Sequence, residues 1–263
     1  MGEAVTYEVD AGVATITLNA PAVKNALTES VATGIMAAIE AVEDDDSVRT
    51  VVLRGSEGAF CSGGDINAMA ERMNGDVPLY EAVRRIHELT SRAIQRVYEC
   101  RLPTIALLDG IAFGAGANLA LACDIQLASS NGKISFGFRN VGLAVDTGTS
   151  YFLVRTVGLN VAKELVFTGE IIDADRALEL GLVNHVYHES FDEQATQFIQ
   201  QIAEGPTVAL ETSKRALNQG IEQSLHQAMT REAAHQAAVF ATDDHVEGAT
   251  AFMERRDPEF TGE

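Results

Sequence analysis

Two glycine turns and one aspartate are the parts of this sequence that could do chemistry. The first turn, GSEGAFCSGGD, follows the apolar run Thr50 to Arg54 and precedes a helix expected from Asp65. The second, Gly110 to Gly116, links a buried run, Thr104 to Leu108, to a helix of small apolar residues from about Ala115. A strand, a tight turn and a helix in that order leave backbone N–H groups pointing out of the helix start, where negative charge is favoured. One N–H from each turn, that of Gly64 and that of Ala115, could converge on one oxyanion. Losing one such donor costs about 3 kcal/mol of transition-state stabilisation. The competing reading is that these glycines only permit tight turns. Asp146 stands in an apolar loop (Leu143, Ala144, Val145) just before a glycine and a helix. Desolvation there would raise its pKa toward that of a useful base. Its alternative role is to cap that helix.

Other chemistries drop out on residue identity. GAGANL nearly matches the dinucleotide fingerprint, but Leu119 holds the third glycine's place. FCSGG is not a nucleophile elbow, because Phe60 replaces its first glycine. There is no GK[ST] for a P-loop and no histidine pair of the HExxH kind; His185 and His188 flank a strand end and are expected at the surface.

These groups need a scaffold, and the chain's periodicities supply one. Residues 5–10 and 13–18 alternate around Ala11-Gly12, as in a hairpin. A loop, LNAPAVKNAL, leads to a helix capped by Thr28. The acidic run Glu43 to Asp46 reads as a solvated helix end. Residues 67–80, with Gly75 and Pro78, read as a mobile loop, and 81–100 as one long amphipathic helix. Short strands are expected at 125–128, 133–136 and 182–187, and helices near 149, at 160–167 and at 173–179. From 191 onward the chain reads as almost wholly helical. Strands and helices alternate early and helices gather late, which predicts an α/β core over 1–195 and a helical region over 196–263.

Composition narrows the function classes. The chain has 263 residues and no run of 18 apolar residues, so no membrane span is expected. MGEAVTYEVD lacks the basic and apolar regions of a secretory leader. Three unpatterned cysteines, Cys61, Cys100 and Cys123, suit a reducing cytoplasm and no zinc site. A net charge of −19 disfavours nucleic-acid binding. With 15 arginines and 4 lysines, that charge suits a salt-rich cytoplasm, where screening relieves self-repulsion.

AFCSGGDI (59–66) followed by GIAFGAGANLALACDI (110–125) resembles the enoyl-CoA hydratase/isomerase, or crotonase, family. LNAPAVKNAL, FTGEIIDADRALELGLVN (167–184) and AFMERRDPEFTG extend the resemblance over nearly the whole chain. It implies a ββα-spiral core with a helical C-terminal trimerisation region, and homotrimers or dimers of trimers. It further implies an acyl-CoA substrate, no separate cofactor, and the Gly64 and Ala115 N–H groups as the oxyanion hole for the thioester. By the same resemblance Lys24, Ala26, Asp65, Ile66, Phe252 and Arg255 would meet CoA, the last two from the same or a neighbouring subunit.

The family's hydratases use two glutamates, and the matching places here hold Asn118 and Asn140, whose amides do not titrate. Asp146 stands where several members that are not hydratases carry a working carboxylate. The pattern is closest to the isomerases of phenylacetate catabolism, which act on a ring-epoxide CoA thioester and shift enoyl double bonds. Isomerisation is therefore the expected activity, with hydration of a 2-enoyl-CoA as the alternative. A non-catalytic scaffold is an alternative of another class. Phe60, Met69, Met73, Phe138 and Phe152 are candidates for the acyl pocket or for the core.

Overall fold

The computed structural model describes residues 3–263; residues 1 and 2, with which the leader reading begins, lie outside them. Strands β1 (Val5–Asp10) and β2 (Val13–Leu18) form the expected antiparallel hairpin. Ala11 and Gly12 both sit at positive φ, 46° and 78°, as a tight primed turn requires. Parallel strands β3 (Thr50–Gly55), β5 (Thr104–Leu108), β7 (Ile125–Ser129) and β10 (His185–Tyr187) complete a six-stranded sheet of order β1-β2-β3-β5-β7-β10. A second sheet of four short strands has the order β4 (Ala59–Cys61), β6 (Ile111–Phe113), β8 (Lys133–Ser135), β9 (Ile171–Asp173). The chain thus gives a strand to the large sheet, a strand to the small one and then a helix, and repeats. That is a ββα spiral.

Helix α1 (Glu29–Glu43) begins as expected, with Thr28 Oγ1 accepting from the Val31 N–H at 3.3 Å. Residues 67–80 are not a loop. The Asp65 carboxylate accepts from the Asn67 N–H at 2.9 Å and caps α2 (Ile66–Met73). Gly75, at φ 86°, follows the end of that helix, and Pro78 caps α3 (Leu79–Arg85). The two residues that argued for a loop instead punctuate two helices. The long helix over 81–100 is present but interrupted: α3 passes into a π-helical turn, Ile86–Ser91, and then into α4 (Arg92–Glu99). Glu43 is not solvated either. It accepts from Arg96 Nη2 at 2.8 Å and from the Arg101 N–H at 2.9 Å.

Further along come α5 (Ala115–Ala122), α6 (Thr149–Thr168) and α7 (Ala174–Glu179). Gly158 breaks α6 at φ 77°, which accounts for two helices being read there from the sequence. The strand expected at 182–187 is limited to β10, while Leu182 and Val183 are buried in the core.

The C-terminal helices are α8 (Phe191–Ala203), α9 (Thr207–Gly220), α10 (Leu225–Val239) and α11 (Asp243–Glu254). Ala195, Ile199 and Ala203 of α8 pack on Val52, Ile105, Leu107 and Leu127 of the large sheet. The 195/196 division therefore falls inside a helix that covers the core. Lys214 ties α9 to the strands by a 2.7 Å contact with Asp124 Oδ2 and a 2.9 Å bond to the Leu102 carbonyl. Leu217, Ile221, Leu225 and Met229 on α9, α10 and the segment between them are exposed.

Candidate active site

The two glycine turns meet. A β-carbon placed on Gly63 would lie 2.5 Å from the Phe113 carbonyl oxygen and 3.5 Å from the Ala115 nitrogen. One placed on Gly116 would lie 2.3 Å from the Cys61 carbonyl oxygen. The backbones touch, and only residues without a side chain allow it. Gly63 also needs glycine for its φ of 99°. Close approach is thus the reason for these glycines, and it carries Gly64 and Ala115 into one place.

The loop at 19–27 braces the first turn. The Leu27 N–H donates to the Gly63 carbonyl at 2.8 Å, and the Ser62 N–H to that of Lys24 at 3.0 Å. Asn25, fully buried, accepts from the Ala20 N–H at 2.9 Å and donates to the Ser56 and Ala59 carbonyls at 3.0 and 2.7 Å. Ala115 is the first residue of α5, so its N–H lies outside the helix's own ladder. Among the described residues, neither the Gly64 nor the Ala115 N–H has a hydrogen-bond acceptor.

Both turns open on a cavity of about 510 Å³. Met69, Ile86, Leu89, Phe138 and Leu143 give it an apolar wall, and Asn140 and Asp146 also line it. Of its four carboxylates, Glu29 and Glu71 are exposed, and Asp65 caps α2. Asp146 is partly buried, and burial pushes its pKa above the ordinary carboxylate value. A hydrogen bond from the Thr147 hydroxyl, at 3.1 Å, acts in the opposite direction. The carboxylate does not cap α6. Gly148 holds the cap position, and the Thr149 N–H bonds to the backbone carbonyl of Asp146 at 3.0 Å. Thr147 has a φ of 48°, unusual for a β-branched residue, and this marks the loop as strained.

Only some of the other sequence-predicted residues reach the cavity. Asp65 and Ile66 line the cavity. Lys24 and Ala26 lie on the bracing loop and not in the lining; Lys24 is exposed and Ala26 buried. Phe252 and Arg255, at the end of α11, are exposed and outside the lining in this single chain. Asn118 is not in the lining either. It is fully buried behind the 146–149 loop, to which its amide donates. Asn140 is exposed, with a long 3.4 Å bond to the Gly169 carbonyl.

Of the acyl-pocket candidates, Met69 and Phe138 line the cavity. Phe60 is core, Met73 is exposed, and Phe152 packs edge-on against Tyr98 and Tyr151. Cys61, fully buried at the end of β4, has its thiol pushed up to about 12, so FCSGG holds no ready nucleophile. The sequence reading missed Thr147 and Thr149. Their signal was present as two hydroxyls flanking Gly148 in DTGT.

The enoyl-CoA hydratase/isomerase family model matches residues 8–263. The chain belongs to the enoyl-CoA hydratase/isomerase family. Among its curated relatives is a short-chain-enoyl-CoA hydratase of Clostridium acetobutylicum, 35% identical, with 96% of this chain and 95% of that protein covered. A mouse mitochondrial methylglutaconyl-CoA hydratase is 33% identical over 97% of this chain and 82% of its own length. Two solved structures superpose closely. One, an enoyl-CoA hydratase from Bacillus anthracis, has a TM-score of 0.92 at 28% identity, covering 99% of this chain and all (100%) of that one. The other, from Mycobacterium smegmatis, scores 0.90 at 31% identity, with 98% of both chains covered. The crotonase spiral read from the sequence is therefore the fold. No helix of the described residues is long and apolar enough to cross a membrane, and no group of three metal-ligating side chains occurs among them.

Proposed function

We propose that this family member is an enoyl-CoA isomerase in which Asp146 is the acid/base. The observation that carries the reading is a partly buried carboxylate, its pKa raised by burial, in the cavity onto which two free N–H groups open, with amides at 118 and 140. The Gly64 and Ala115 N–H groups would donate to the thioester oxygen. Asp146 would take a proton from C2 of a 3-enoyl-CoA, leaving a dienolate whose negative charge rests on that oxygen. The same carboxyl would return the proton at C4. The double bond moves into conjugation, atoms and charge balance, and no water or cofactor is consumed. A related ring-epoxide CoA thioester, as in the phenylacetate group, fits the same single-carboxylate scheme.

The CoA moiety is assigned on the same footing. Asp65 and Ile66 in the cavity, with Lys24 and Ala26 beside it, support a nucleotide site at that mouth. Phe252 and Arg255 would serve it only from a neighbouring copy, which the exposed apolar side chains of α9 and α10 and the segment between them support. The absence, among the described residues, of a helix long and apolar enough to cross a membrane is compatible with a cytoplasmic enzyme.

Hydration is the second reading, and the hydratase names of the relatives favour it. In it, Asp146 would activate water for addition to a 2-enoyl-CoA. One paired assay separates the two. Wild type and Asp146→Asn receive a trans-3-enoyl-CoA, and the conjugated thioester is followed by absorbance and identified by mass. Conversion by wild type and a loss of about 10²–10⁴-fold in the variant support the isomerase. Failure on that substrate with addition of water to a 2-enoyl-CoA supports the hydratase. No turnover and no CoA-ester binding would leave the scaffold reading.

A further inference from the structure

The side chain that holds the Asp146 loop in place is Asn118, from the neighbouring helix. Its amide nitrogen lies 2.9 Å from Thr147 Oγ1, 2.8 Å from Thr149 Oγ1 and 3.1 Å from the Asp146 carbonyl oxygen. Each threonine oxygen that accepts an amide N–H keeps its own proton to donate elsewhere. The acceptors in reach are those of Asp146: Oδ1 is 3.1 Å from Thr147 Oγ1, and the carbonyl oxygen is 3.0 Å from Thr149 Oγ1. The direction of the whole chain of bonds is therefore set by the amide. Asn118 Oδ1, by contrast, is buried and has no partner among the described residues. That orphan costs stability, of the order of 1–3 kcal/mol for a buried acceptor. A chain built for stability alone has no use for it. An amide here gains something else, because its N–H groups point at Thr147 and Thr149.

We propose that Asn118 is a positioning residue for the reaction, acting through Thr147 to fix the rotamer of the Asp146 carboxylate facing the cavity. A carboxylate at 118 would reverse the relay. It accepts only, so it would draw both threonine protons to itself and leave Asp146 Oδ1 without its donor. It would also set a second negative charge next to the first. The inference rests on the reading of Asp146 as acid/base, and it adds a residue that touches neither substrate nor reacting atoms.

The test is a double-mutant cycle on the 3-enoyl-CoA assay. Asn118→Asp keeps the shape and reverses the bonds; Thr147→Val keeps the shape and removes the hydroxyl. Both are expected to lower kcat at least tenfold, with KM within about threefold of wild type. The double variant is expected to lose clearly less than the product of the two single losses, because the relay is already cut and only the added charge at 118 remains to act. Multiplying losses, or a rise in KM at constant kcat, would overturn the inference. Should Asn118→Asp fail to fold, Thr147→Val decides: an unchanged kcat overturns the proposal. Asp146→Asn is run beside them. If it retains activity, the acid/base reading itself has failed. If it alone is inactive while the other variants match wild type, only the role of Asn118 has failed.

Discussion

Gly63→Ala tests whether the two turns must touch. The new methyl would lie 2.5 Å from the Phe113 carbonyl oxygen. An ordinary carbon–oxygen contact is about 3.3 Å, so the turns must part by roughly 0.8 Å. Gly63 also sits at φ 99°, where alanine is strained. Overpacking costs about 1–3 kcal/mol and the left-handed backbone about 1–2 kcal/mol, together roughly 2–5 kcal/mol. In a chain of this size that lowers Tm by roughly 5–15 °C. The catalytic consequence is separate. Moving the Ala115 N–H relative to Gly64 by most of an ångström should lower kcat about 10–100-fold. Gly181→Ala is the control, since Gly181 has φ 74° and nothing within 4 Å of the added methyl. It should lose only the backbone part, about 1–2 kcal/mol, and keep its kcat. Thermal unfolding and steady-state turnover of purified variants read both effects. If Gly63→Ala keeps full kcat and loses no more stability than Gly181→Ala, the account of convergent turns is wrong.

Asp146→Asn should stabilise the protein at neutral pH while abolishing turnover. Burial raises the folded-state pKa of Asp146, so the folded chain holds that proton more tightly than the unfolded one. The stability this contributes is complete below the ordinary carboxylate range and lost as pH rises through the raised value. The variant should therefore gain over wild type at pH 7 and not at pH 3.5, as read by denaturant midpoints; a loss at pH 7 would contradict the burial argument. Asn25→Ala should cost about 2–4 kcal/mol, because it strips partners from three backbone groups of the bracing loop and first turn. A midpoint within experimental scatter of wild type would show those bonds to be replaceable. Raising KCl from 0.1 to 2 M should raise Tm, since screening relieves a net charge of −19. A flat or falling Tm would remove the salt-adapted reading.

What the sequence made legible was local. The hairpin turn at Ala11-Gly12, the Thr28 cap and the two strand-turn-helix units all depend on residues within a few positions of each other. What it hid depends on distant partners or on geometry that leaves no pattern. Gly75 and Pro78 suggested a loop, yet the Asp65 cap and the turn after α2 needed only five irregular residues, 74–78, between two helices. Glu43 looked like part of a solvated acidic run because Arg96 and Arg101 lie more than fifty positions away in sequence. At the site, glycine placement gave the two turns and an apolar loop gave Asp146. Asn118 was visible only as a missing glutamate. That its amide holds two threonines from another element could not be read from their spacing.

The π-helical turn at Ile86–Ser91 bears on how such a cavity can be reshaped. It amounts to one extra residue in a helix that would otherwise be regular, and one residue is about 100° of rotation about the axis. Below the turn, Ala93, Ile94 and Val97 of α4 stay locked in the core. Above it, Ala82 and Arg85 face the cavity, and Ile86, Leu89 and Thr90 of the turn itself line it too. The bulge uncouples the two ends, so the wall can be re-indexed by a single-codon insertion or deletion without disturbing the packing beneath it. A lineage exploring new acyl groups has there a discrete dial, one that moves several side chains in a single step.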